Sequence, residues 1–87
     1  MSLKETFLKA TKDVQALPKR PANDELLELY ALYKQSTEQD VKGTRPGFLE
    51  VKGRAKFDAW ARKKGISVDT AMQEYVALVE RLRERFK

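Results

Sequence analysis

Four stretches of this chain repeat apolar residues at steps of three and four, and none shows the two-residue alternation of a half-buried strand. That periodicity restricts the chain to an all-α fold. In the first stretch Leu3, Phe7, Ala10, Val14 and Leu17 make a single apolar stripe. Pro18 and Pro21 end it, because neither can donate the next helical hydrogen bond and each disfavours helix in the residue before it. The second stretch begins at Asn23, a good N-cap residue, with Asp24 and Glu25 placed to meet the positive end of the helix dipole. Leu26, Leu29, Tyr30, Tyr33 and Thr37 are expected on one face of it.

Residues 39–49 read as a loop, punctuated by Gly43 and Pro46-Gly47. It is longer than most helix–helix connections. A loop of that length can carry the chain back along the bundle, so the second and third helices need not be antiparallel. The third helix is expected over residues 50–64, short and basic, with Val51, Ala55, Ala59 and Trp60 inward and Gly65 as its C-terminal cap. Ser67 caps a fourth helix whose stripe is Met72, Tyr75, Val76, Val79, Leu82 and Phe86. Arg81, Arg83, Arg85 and Lys87 crowd its last turns, where the dipole favours cations. The expected architecture is a four-helix bundle forming one domain over residues 1–87, since 87 residues leave no room for two.

Composition removes several function classes. With no cysteine, disulfides and thiolate metal sites are excluded. With no histidine, the commonest metal ligand and the commonest general base are missing too. No metal or cofactor is expected. An enzyme would have to work with Ser, Lys, Tyr and carboxylates, and no such spacing stands out. The start of the chain lacks the apolar stretch of a signal peptide, and nothing approaches membrane-spanning length. A soluble cytoplasmic protein with at most transient membrane contact is therefore expected. The net charge of +5 points to an anionic partner. It is concentrated in the stretch 52–64, where Lys52, Arg54, Lys56, Arg62, Lys63 and Lys64 face one acid, Asp58.

Tyr30 and Lys34 lie one turn apart on the second helix with Tyr33 beside them, and Lys52 and Lys56 repeat the spacing on the third. If those helices lie side by side, three lysines and two tyrosines converge into a phosphate seat with an aromatic wall able to stack on a base. The plainer reading is a pair of half-buried core tyrosines and a solvated lysine face. By the same logic Phe57 and Trp60 read as core or lid. Spacing alone leaves both open.

A longer pattern carries more. The run Pro21-Ala22-Asn23-Asp24-Glu25-Leu26-Leu27-Glu28-Leu29-Tyr30-Ala31-Leu32-Tyr33-Lys34-Gln35-Ser36-Thr37 resembles the signature of the acyl-CoA-binding protein family. Arg45-Pro46-Gly47-Phe48-Leu49-Glu50-Val51-Lys52-Gly53-Arg54-Ala55-Lys56-Phe57-Asp58-Ala59-Trp60 is similar to its second hallmark, and Ala71-Met72-Gln73-Glu74-Tyr75-Val76 to a third. Phe7 stands where the family keeps an aromatic residue in its first helix. The resemblance spans nearly the whole chain.

It implies a four-helix bundle of up-down-down-up topology. It also implies a monomer that binds one long-chain fatty acyl-CoA and does no chemistry on it. Tyr30, Lys34 and Lys56 would hold the 3′-phosphate of the CoA ribose, Tyr33 and Lys52 would flank the nucleotide, and Tyr75 would reach it from the fourth helix. Ala31 and Leu32 belong to the same run. Leu26, Leu27 and residues of the first helix near Thr11 would line the acyl groove, and Gln15 would face the ligand. Three departures are visible: Gln39 stands where the family signature ends in glycine, which bears on the turn after helix two. Phe57 replaces a frequent tryptophan, and Gln15 replaces a frequent lysine that faces the ligand. The competing expectation is a basic bundle that holds nucleic acid through the stretch 52–64, with steep salt dependence.

Overall fold

The structure, a computed structural model, describes residues 1–87. It contains four helices and no strand: α1 (Leu3–Gln15), α2 (Asn23–Glu38), α3 (Val51–Ala61) and α4 (Val68–Arg85). Ser2 and Glu5 cap α1 reciprocally, the Ser2 hydroxyl accepting from the Glu5 amide at 3.1 Å and the Glu5 carboxylate from the Ser2 amide at 3.2 Å. Ser67 caps α4 as expected, its hydroxyl accepting from the Thr70 amide at 3.1 Å.

Three details of the sequence reading need correction. Ala22, not Asn23, is the N-cap of α2. The Glu25 carboxylate accepts from the Ala22 amide at 3.0 Å, while Asn23 turns its amide oxygen to Arg20. Next, α3 stops at Ala61 rather than at residue 64. There the bonding tightens: the Lys63 amide donates to Trp60 O and the Lys64 amide to Ala61 O, and Gly65 follows at φ +90°. Val51, expected inward, is 72% exposed, because it opens α3 at the edge of the preceding loop.

The register of contacts gives the topology. Phe7 meets Tyr75 and Asp13 meets Arg83, so α1 and α4 run parallel. Tyr33 meets Tyr75 and Glu25 meets Arg85, so α2 runs against α4. Lys56 lies over Tyr30 and Lys34 over Trp60, so α2 and α3 run parallel. The order is up-down-down-up, and the 12 residues between α2 and α3 provide the return.

The core is built by three of the four helices. Phe7 and Ala10 of α1, Leu29 and Leu32 of α2, and Tyr75, Leu78, Val79 and Leu82 of α4 form one buried cluster, with Val14, Leu17, Leu26, Met72, Val76 and Phe86 packed around it. Each side chain as fully buried as Phe7, Leu32 or Leu82 contributes up to about 1.5–3 kcal/mol. Helix α3 packs on the other flank of α2 through Ala59 and Trp60. Covered on two sides, α2 buries Leu29, Ala31, Leu32, Gln35 and Ser36. This overturns the predicted face: Tyr33 is 42% exposed, and Thr37 is exposed with its hydroxyl donating back to Tyr33 O.

Candidate functional site

The parallel packing of α2 and α3 brings the predicted cations and aromatics together. Lys56 Nζ lies 5.4 Å from the centre of the Tyr30 ring, and Lys34 Nζ lies 4.9 Å from the centre of the Trp60 ring. Both are within the range of cation–π attraction. Trp60 is itself buried, its indole N–H donating to Gln39 O at 2.8 Å, so the ring under Lys34 is fixed. This stacking role was not visible in the sequence, where Trp60 read as core or lid.

Lys34 has a second partner, Glu38, one turn further along α2. Hydrogen bonding between them raises the Lys34 ammonium above its ordinary value and lowers the Glu38 carboxyl below its own. The i,i+4 spacing rule that singled out Tyr30 and Lys34 also picks out this pair, yet Glu38 was passed over.

Tyr33 joins a second group. Its ring stacks near Phe7, at 6.0 Å between centres and 25° between planes, and both contact Tyr75. Tyr75 is only 4% exposed, and burial pushes its phenol up to about 12, with Tyr33 adding a smaller push. Tyr33 thus carries the aromatic cluster out to the surface on the flank of α2.

The other predicted positions differ in access. Ala31 and Leu32 are 0% and 1% exposed, which makes them supports behind Tyr30 and Lys34 rather than contact surface. Leu26 and Leu27 are half-buried, as is Thr11, whose hydroxyl donates to Leu8 O at 2.6 Å. Gln15, the last residue of α1, is exposed. The helix registers, with Phe7 of α1 level with Tyr33 of α2, put Thr11 and Gln15 level with the first half of α2. Lys52 is exposed one turn before Lys56, at that same end.

The C-terminal end of α2 is tied down by Gln35. Its buried amide nitrogen donates to Asp40 Oδ1 and to Ile66 O, both at 2.8 Å, and the Gly65 amide donates to the same Asp40 oxygen at 2.8 Å. Those bonds hold the Asp40 carboxyl below its ordinary value, the Gly65 amide contributing most. Glutamine is usually exposed, so nothing in the sequence marked this one as buried. Gln39, between them, adopts φ 65° and ψ −144°, a conformation suited to glycine. The turn therefore keeps a glycine-like backbone without the glycine.

A surface hollow of about 1010 Å³ lies elsewhere, between the ends of α1 and α4. Asp13, Leu17, Pro18, Arg81 and Phe86 are among its lining residues, and none of the clustered tyrosines and lysines is. No group of three or more metal-ligating side chains occurs, and no helix is long and apolar enough to cross a membrane. The basic stretch 52–64 is not one face: the helix ends at Ala61, and Lys63 turns away to Glu28 at 2.6 Å.

Comparison with known proteins agrees with this fold. The family profile described as "Acyl CoA binding protein" matches residues 4–79. The chain is 47% identical over 78 residues to the acyl-CoA-binding protein homolog of Drosophila melanogaster, covering 90% of this chain and 91% of that one. It is 48% identical over 83 residues to the Manduca sexta homolog, covering 94% and 92%. Among solved structures, acyl-CoA-binding protein 2 of Oryza sativa superposes with a TM-score of 0.92 at 38% identity, over 97% of this chain and 93% of the other. The protein from Moniliophthora perniciosa gives 0.91 at 40% identity, over 100% and 85%. A four-helix topology and a paired-helix tyrosine–lysine cluster thus coincide with likeness along almost the whole length: this chain belongs to the acyl-CoA-binding protein family.

Proposed function

We propose that the chain binds long-chain fatty acyl-CoA, one per monomer, and acts as a carrier and pool buffer that leaves the thioester intact. The observation that carries this reading is the convergence of Lys34 and Lys56 with Tyr30 and Trp60 along the α2–α3 seam. A ribose 3′-phosphate has close to two negative charges and three acceptor oxygens. Two ammonium groups and a phenol hydroxyl satisfy them with charge-assisted bonds. Tyr33 and Lys52 flank the nucleotide in this reading, and Tyr75 supports Tyr33 from below. The half-buried Leu26 and Leu27, with Thr11 and Gln15 across from them, start the groove for the tail. Burying a palmitoyl chain contributes up to roughly 10 kcal/mol before ordering costs. The tail therefore sets the preference for long chains, and the phosphate contacts select CoA esters over free fatty acids.

The test is calorimetric titration with palmitoyl-CoA, CoA and palmitate. The ester should bind far more tightly than either fragment, and Lys34→Ala should weaken it by about tenfold or more, the scale of a lost charge-assisted bond. Absence of saturable ester binding, or turnover of the thioester by pure protein, defeats the proposal. Steeply salt-dependent binding of nucleic acid, indifferent to acyl chain length, is the contrasting outcome; the interruption of the basic stretch at Ala61 and Lys63 argues against it.

A further inference from the structure

We propose that residues 47–51, the turn leading into α3, form a docking tip for the surface of an anionic lipid bilayer. Phe48, Leu49 and Val51 are 75%, 83% and 72% exposed. The other large exposed apolar side chains, Met1, Leu8 and Tyr33, lie outside this segment. Single exposed apolar residues are ordinary, but a cluster marks a contact surface.

The tip is braced from behind. Arg45 grips Asp58 of α3 through two bonds, Nε to Oδ1 at 2.8 Å and the terminal nitrogen to Oδ2 at 2.7 Å. The Pro46 ring lies close against Gly53, where an added Cβ would meet Pro46 Cγ at 3.6 Å. The Glu50 amide closes the turn on Gly47 O at 2.9 Å. The apolar side chains are thus presented to solvent by a fixed backbone.

Charge identifies the partner. Between residues 41 and 57 the sequence has Lys42, Arg45, Lys52, Arg54 and Lys56 against one acid, Glu50. Arg45 is neutralised by Asp58, and Lys42 lies at the far end of α2, donating to Glu38 O at 3.3 Å, which leaves Lys52, Arg54 and Lys56 on the α3 turns that follow the apolar centre. Apolar side chains followed directly by a turn of cations match a surface that is anionic at its headgroups and hydrocarbon just beneath. Nucleic acid offers the first layer without the second. With one small tip, the contact is reversible and salt-sensitive. If the proposed function holds, docking also has a use: the tip lies at the Leu26–Leu27 end of the site, so the entrance for the tail would face the membrane.

The experiment is vesicle flotation without acyl-CoA, so that docking stands or falls separately from ligand binding. The wild type should float with phosphatidylcholine vesicles that contain phosphatidylserine, not with phosphatidylcholine alone, and high salt should release it. Phe48→Ser combined with Leu49→Ser should reduce the bound fraction about tenfold, while palmitoyl-CoA affinity in vesicle-free solution stays unchanged. Both positions are exposed, so the fold should tolerate the change, and an unaltered thermal midpoint checks this. The proposal is overturned if the wild type ignores phosphatidylserine vesicles or if the double variant floats equally well. It also fails if the variant loses soluble palmitoyl-CoA affinity to the same degree, which would assign the tip to the ligand groove. Sedimentation of the wild type as a dimer and of the variant as a monomer would assign it to a second copy of the chain.

Discussion

Glu38 holds the ammonium of Lys34 in an ion pair one helical turn along α2, on the shoulder of the Trp60 ring. If Lys34 holds the phosphate as proposed, the phosphate must take that ammonium from a carboxylate and then sit beside the carboxylate's charge. Exposed pairs of this kind are worth up to about 1 kcal/mol. Glu38→Gln should therefore raise affinity for palmitoyl-CoA by about threefold to fivefold. Calorimetry that finds equal or weaker binding would show that Glu38 does not compete.

Gln39 carries strain that a single substitution can remove. At φ 65° and ψ −144° a side chain costs about 1–3 kcal/mol, partly offset by the extra freedom of glycine in the unfolded chain. Gln39→Gly should stabilise the protein by about 1 kcal/mol, raising the thermal midpoint by about 4–8 °C for a chain of this size. The Trp60 indole bonds the backbone carbonyl of Gln39, so ligand affinity should not change.

Tyr75 predicts an alkaline weakness. Its phenol is raised by burial from 10.0 to about 12, so between those values the unfolded chain has lost a proton that the folded chain keeps. Its contribution is fully present below pH 10 and declines as pH rises toward 12. The urea midpoint should fall across that window in the wild type and less steeply in Tyr75→Phe. Parallel slopes would assign the loss to other groups.

Asp40 predicts the opposite limb. The Gly65 amide and the Gln35 side chain hold its carboxyl below the ordinary value, so its contribution is present above that value and lost as pH falls through the depressed one. Asp40→Asn should make the acid decline in denaturant midpoint shallower. An unchanged acid limb would show that the latch does not depend on ionisation.

Much of this was legible from periodicity and punctuation. The four helices, the Ser67 cap and the stripe of α4 follow from local spacing, because packing reinforces what the segment prefers alone. The inward face of α2 did not follow. Its burial is decided by two neighbouring helices at once, and a single helical stripe cannot anticipate a second covered flank. Leu78 was missed in the same way as an addition to a stripe already complete without it. At the site, the i,i+4 lysine and tyrosine pairs were readable, but their meeting needed the parallel α2–α3 register. The long connecting loop permitted that register without requiring it. Gln35 and Trp60 act through bonds to backbone atoms distant in sequence, and no local signal announces those.

Helix α3 supplies Lys52 and Lys56 yet places no residue in the cluster that unites the other three helices. In the proposed site, α3 therefore contributes to recognition without contributing to that shared cluster. Such an arrangement lets α3 lift from its flank by local opening while the remaining three helices stay assembled. Amide protons of α3 should exchange with solvent earlier than those of α2 and α4, and a bound ligand bridging α2 and α3 should slow them most. Cargo release would then require only that one helix breathe.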